Sequence, residues 1–143
     1  MWIETFLMTK APTDSQIPEP RGELALRTLA MPSDANPNGD IFGGWLMAQM
    51  DIAGGITAFS AANGRVATVA VDGFIFHLPV HVGDVLCCYA DITKTGRTSM
   101  TIRVEAWVLR QRMKKARDKV TEGLFTFVAI DDEGNKRTLP TEP

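Results

Sequence analysis

The chain has 143 residues, enough for one domain with a single sizeable core and too few for two ordinary ones. Its 45% apolar and 22% charged residues are ordinary for a globular protein, and a formal charge of −2 offers no bulk attraction to nucleic acid or acidic membranes. Any basic binding site must therefore be local.

Residues 1–21 set Pro12, Pro18 and Pro20 among polar residues, a composition that suits a flexible arm better than a packed element. The start, MWIETFLMTK, carries Glu4 inside its apolar patch and has no long apolar core, which argues against a secretory signal. An extended segment fits residues 23–30, ELALRTLA, and the following MPSDANPNGD is a dense turn signal built from Pro, Asn, Asp and Gly. Residues 43–62 are helical in length, rich in Ala, Met and Leu, and stop at Asn63-Gly64. This helix has so few polar residues that most of its circumference is expected to be buried. Gln49, Asp51 and the glycines make it a poor membrane span.

Beyond Gly64 come four β-rich runs at residues 65–76, 84–93, 99–110 and 119–132. In the third, alternation places Met100, Ile102, Val104 and Ala106 on a core face and Ser99, Thr101, Arg103, Glu105 and Trp107 on a mostly polar one. Cys87 and Cys88 are neighbours on a strand, so their side chains leave on opposite faces; they read as small core residues in a reducing compartment, and zinc would need ligands that are not nearby. One helix with five strands predicts an α+β layer, an antiparallel sheet curled around a central helix. The protein is expected to be soluble and cytoplasmic, with no metal.

The segment NGDIFGGWLMAQ puts Asp40 just before Gly43-Gly44 at the predicted helix start. The first N–H groups of a helix lack intrahelical partners and carry partial positive charge, so an anion is welcome there. By spacing alone, Asp40 is also an ordinary helix cap. Two glycines weigh against that, because each weakens a helix start by roughly 1 kcal/mol relative to alanine.

Together with VATVAVDGFIFHLPVHVGDVLCCY, KTGRTSMTIRVEAWV and FTFVAIDDEGNKR, the stretch MPSDANPNGDIFGGWLMAQMDIAGG resembles the acyl-CoA thioesterases of the hotdog fold, in particular the bacterial YciA-like group. The likeness covers about residues 22–140, the expected domain. It implies a five-stranded antiparallel sheet wrapped around one long helix, protomers paired into a continuous sheet with active sites between them, and dimers assembling further into homohexamers, trimers of dimers. It also implies acyl-CoA as substrate, in fatty acid metabolism, with no separate cofactor because coenzyme A belongs to the substrate and product.

The chemistry such a site needs is sparse. A thiol has a reference pKa of about 8.5, so coenzyme A leaves as a thiolate without obligatory protonation. One carboxylate and one cluster of donors then suffice: Asp40 as general base, or as a nucleophile, and the N–H groups near Phe42, Gly43 and Gly44 as oxyanion hole. The same helix end that holds an oxyanion also stabilises ionised Asp40 and limits its basicity. Asp51, further along the helix, reads as structural, paired with a neighbouring protomer or loop.

The phosphates of coenzyme A ask for cations and backbone donors, for which the turn Arg97, Thr98, Ser99 is the first candidate and Arg65 the second. The basic run RQRMKKARDK, residues 110–119, is a third, although such runs are most often solvated loops. His77 and His81 sit near a strand end and turn and read as structural or lining residues. Trp45, Met47, Met50 and Phe59 serve equally as acyl-tunnel or core residues. Two other functions compete: an acyl-CoA-binding or sensing module that does not turn over, and a hotdog hydratase or dehydratase, against which the lack of a histidine beside NGDIFGGW counts.

Overall fold

Alternation along the second half of the chain becomes an antiparallel sheet, and the apolar stretch before it becomes the helix that this sheet holds. The computed structural model describes residues 19–110 and 117–141. Its elements are β1 (Glu23–Leu29), a single 3-10 turn (Pro32–Asp34), α1 (Gly43–Ala62), β2 (Val66–Asp72), β3 (Val85–Thr95), β4 (Ser99–Leu109) and β5 (Arg117–Ala129). The five strands lie in the order β1-β3-β4-β5-β2, and each neighbouring pair is antiparallel. The first of the four β-rich runs is shorter than predicted: β2 ends at Asp72 because Gly73 turns the chain at φ 79°, a conformation that suits glycine. Phe74 then folds its ring over Gly123 of β5, where an added Cβ would lie 2.8 Å from it.

The helix stops where expected. Asn63 takes the left-handed conformation (φ 52°, ψ 48°), and the Gly64 N–H returns to the Phe59 carbonyl at 3.1 Å. Leu46, Met50, Ala53, Gly54, Ala58 and Ala62, which recur about once per turn with Ala53 and Gly54 adjacent, form its buried stripe against the sheet. Gly54 lets the helix approach closely, since a Cβ there would lie 3.0 Å from the Phe127 ring and 3.3 Å from Val104 Cγ2. The expected burial around most of the helix is corrected: Ile52 and Ile56 are each 50% exposed and Phe59 55%. One sheet covers one side of a helix, so the opposite apolar side stays uncovered in a single chain. Among the described residues, no helix is long and apolar enough to cross a membrane.

On β4 the predicted alternation holds for the core face, where Met100, Ile102, Val104 and Ala106 are all buried. The opposite face is more enclosed than its polar residues predict, with Glu105 only 1% and Trp107 2% exposed. Arg21 Nε donates to Glu105 Oε2 at 2.7 Å, and Trp107 Nε1 donates to Oε1 of the same carboxylate at 2.9 Å. Long cationic side chains thus close over the buried acid. Arg21 belongs to the segment expected as an arm, yet this ion pair ties it to the sheet; residues 1–18 lie outside the described residues. Alongside, Lys119 pairs with Glu122, which holds the Glu122 carboxyl below the usual carboxylate range. Cys87 and Cys88 are free and fully buried, with Cys88 in the main core and its thiol pushed up to about 12 by burial.

Candidate functional site

The turn-rich segment before the helix is organised by Asn36. Its Oδ1 accepts the N–H groups of Asn38 (2.9 Å) and Asp40 (3.1 Å), while its own N–H donates to the Asp40 carbonyl at 2.7 Å. An Asx side chain that closes its own loop is the reason Asn suits such turns. The segment is then tied on both sides: the Ile41 N–H donates to the Val80 carbonyl at 2.9 Å, and the Phe42 N–H to the Asp34 carbonyl at 3.1 Å. Isolated bridges pair Ala35 with Ile41 and Asp40 with His81.

These ties decide which amides remain for a ligand. The residue preceding the helix is Phe42 (φ −59°, ψ 135°), and no side chain caps it. Asp40 is therefore not the helix cap that spacing alone allows. Phe42 is removed from the expected donor set, because Asp34 already takes its N–H. Among the described residues, the N–H groups of Gly43, Gly44 and Trp45 have no acceptor, and the adjacent glycine donors stand first at the positive end of a 20-residue helix. They open beside a cleft of about 320 Å³ walled by Leu46, Phe76, Leu78 and Val80. A Cβ on Gly43 would sit 3.6 Å from the Phe76 ring, and a Cβ on Gly44 would meet no described atom within 4 Å apart from its chain neighbours and the adjacent helix backbone.

Two carboxylates flank this helix. Asp40 is half exposed, with Oδ1 3.4 Å from His81 Nδ1. The histidine that seemed missing beside NGDIFGGW is thus supplied by the loop before β3, a contact across 41 positions of chain that no local motif contains. Asp51 lies eight residues after Gly43, about 12 Å along the axis. Its Oδ1 accepts a 2.7 Å hydrogen bond from Thr68 Oγ1 of β2, so its partner is a strand of the same chain. Met47, Ile52 and Ile56 surround it in sequence on the uncovered side of the helix. A carboxylate set into an apolar face is the signal in the sequence that marks Asp51 as more than a solvated helix residue.

The other predicted residues gather at the far end of the helix. Arg97 lines a second cleft of about 300 Å³ with Gly96, Ala61 and Thr138. The Arg97 and Thr98 carbonyls accept the N–H groups of Leu139 and Ala129, both at 2.9 Å, and the Gly96 N–H closes the turn on the Ser99 carbonyl at 2.7 Å. Arg65 Nη1 donates to the carbonyls of Asp131 and Asp132 at 3.1 and 2.9 Å. Ala61 is 18 residues from Gly43, so these groups lie about 27 Å along the helix from the Gly43 amide. One chain does not bring them to Asp40. Of the basic run, residues 111–116 lie outside the described residues; Arg110 turns inward, donating to the Pro79 carbonyl at 2.8 Å, and Arg117 donates to the Tyr89 hydroxyl at 3.1 Å.

A long helix held in a five-stranded antiparallel sheet, with ligand-ready amides at its N-terminus, is the hotdog arrangement. The model of the Thioesterase superfamily matches residues 38–114, and the chain belongs to that family. It is 56% identical to the acyl-CoA thioester hydrolase YciA of Escherichia coli over 125 residues, covering 86% of this chain and 95% of the relative. Among solved structures it is similar to a hexameric thioesterase from Yersinia pestis (58% identity, TM-score 0.81, 87% of this chain and 100% of that one). It is also similar to a hexameric broad-specificity acyl-coenzyme A thioesterase (52% identity, TM-score 0.83, 91% and 89%).

Proposed function

We propose that the chain is an acyl-CoA thioesterase that releases a free fatty acid and coenzyme A. The observation that carries this is the pair of unengaged amides at Gly43 and Gly44 opening onto a cleft lined by apolar side chains and by His77. A thioester carbonyl oxygen received there gains negative charge as water attacks the carbon. Such donors typically contribute about 10² to 10³ in rate. A carboxylate takes the proton from the water, the C–S bond breaks, and coenzyme A departs as a thiolate. The reaction calls for no metal or further cofactor.

For the base, Asp40 is the first candidate because it stands three residues before Gly43 and the paired amides. A second reading, Asp51, is favoured by the Thr68 hydrogen bond and by its place on the uncovered apolar face. Asp40 is half exposed with His81 Nδ1 3.4 Å from its carboxylate, whereas Asp51 stands on the helix face that a covering surface would close over.

That covering is supplied by a second copy in our reading. Ile52, Ile56 and Phe59 lie exposed on the helix, and among the described residues β2 has no strand on its outer edge. Pairing through this edge brings a second chain's groups to each site, and both solved relatives named above are hexameric. The Arg97 turn, with Thr98, Ser99 and Arg65, then serves the coenzyme A phosphates of a site built mainly on another protomer. A cytoplasmic setting fits the two free, buried thiols.

The test is a turnover panel of short to long acyl-CoA substrates, followed by thiol release, on wild type, Asp40→Asn and Asp51→Asn. Loss of about 10² or more in kcat for one variant assigns the base. Stoichiometric binding without turnover would instead indicate a sensor, and conversion of enoyl-CoA to hydroxyacyl-CoA a hydratase.

A further inference from the structure

Buried Asp84 and partly buried Arg110 form a pair that the proposed reaction does not use directly. Asp84 is 6% exposed, and its Oδ2 lies 3.5 Å from Arg110 Nε, a buried nitrogen with no hydrogen-bond acceptor. The same Oδ2 accepts the His81 N–H at 2.9 Å, and the Asp84 N–H returns to the His81 carbonyl at 3.0 Å. Arg110 reaches over this turn to the Pro79 carbonyl at 2.8 Å. Residues 79–84 are thus held at both ends by two side chains, one from the residue just before β3 and one from the residue just after β4.

The middle of that turn is what the site leans on. The Val80 carbonyl takes the Ile41 N–H, His81 bridges Asp40, and Val80 walls the cleft beside Gly43. Ile41 is only two residues before the free amides. A shift of the turn therefore moves the donors, and a misplacement of about 1 Å can cost on the order of 10² in rate.

We propose that Asp84 and Arg110 are positioning residues for the oxyanion donors, acting through the residue 79–84 turn. This rests on the thioesterase reading above. The sequence places Arg110 at the head of a basic run, where it looks like a ligand for phosphate; the structure turns it toward the protein instead.

The experiment compares wild type, Arg110→Ala, Arg110→Lys and Asp84→Asn for kcat and KM on one acyl-CoA, with and without millimolar ethylguanidinium. Backbone hydrogen exchange of the peptide spanning residues 40–45 is followed in parallel. We expect Arg110→Ala to lower kcat about 10- to 100-fold with KM within about 3-fold, ethylguanidinium to restore several-fold of the loss, and the peptide to exchange at least 10-fold faster. Asp84→Asn keeps an acceptor for the His81 N–H while removing the charge facing Arg110, so it carries the test if Arg110→Ala does not fold. Rates within 2-fold of wild type in both variants, or losses that ethylguanidinium leaves unchanged and that track melting temperature, would overturn the proposal. A wild type that releases no coenzyme A overturns the functional reading instead; unchanged exchange at residues 40–45 in the variants then refutes the positioning role on its own.

Discussion

Two adjacent glycines in the helix give opposite expectations for the same substitution. An alanine Cβ at position 54 would sit 3.0 Å from two Phe127 ring carbons and 3.3 Å from Val104 Cγ2, whereas at position 55 its nearest contact is a Phe127 carbon at 3.8 Å. Phe127 is 1% exposed and stacked on Phe125 with ring centroids 6.3 Å apart, so it has little room to retreat. Each Gly→Ala change gains about 1 kcal/mol in helix propensity. Overpacking a dense core costs about 1–3 kcal/mol, and only Gly54 meets that cost. Gly54→Ala should therefore lose about 0–2 kcal/mol and Gly55→Ala gain up to about 1 kcal/mol. Thermal and urea unfolding at equal protomer concentration would read the difference, with about 3–5 °C per kcal/mol for a chain of this size. A Gly54→Ala protein as stable as Gly55→Ala would refute the claim that close helix-sheet approach requires glycine at position 54.

Other outcomes follow from the same contacts. Glu105→Ala leaves Trp107 Nε1 and Arg21 Nε without their acceptor and should cost about 2–4 kcal/mol by urea unfolding, while Glu105→Gln, which keeps a carbonyl oxygen, should cost less. Because Lys119 holds the Glu122 carboxyl below its ordinary range, the contribution of Glu122 is complete above the unfolded value of about 4.5 and is lost as pH falls through the folded one; Glu122→Gln should flatten the acid limb of a stability profile, modestly because the side chain is 35% exposed. A thiol reagent should detect neither cysteine in the native protein and two per chain after denaturation, since both are fully buried and the Cys88 thiol is pushed up to about 12. Ile56→Glu on the uncovered helix face should shift the protein toward monomer in analytical ultracentrifugation and lower turnover together with assembly.

Features legible along the chain are those whose cause is local. Asn63-Gly64 ends the helix because the left-handed conformation there suits these residue types. The alternation in β4 puts four residues into the core because strand side chains have a period of two. The amides of Gly43 and Gly44 stay open because a helix start has no earlier carbonyls to bind them. These facts, with the motif's likeness to thioesterases, are sufficient for the helix, the strands and the open amides at the helix start.

Contacts between distant segments lay beyond such signals. Asp34 takes the Phe42 amide, His81 arrives beside Asp40 from the far side of the helix in sequence, and Thr68 finds Asp51 only because β2 runs along the helix. Glu105 looked solvent-facing by alternation until Arg21 closed over it. The uncovered apolar side of the helix is a property of the folded chain too, since composition asks only that those residues be buried and the sheet decides which of them it reaches. Local stereochemistry writes the elements and their free groups into the residues themselves; which carboxylate, histidine or arginine meets them is decided by packing, because a side chain's partner depends on where the chain returns in space.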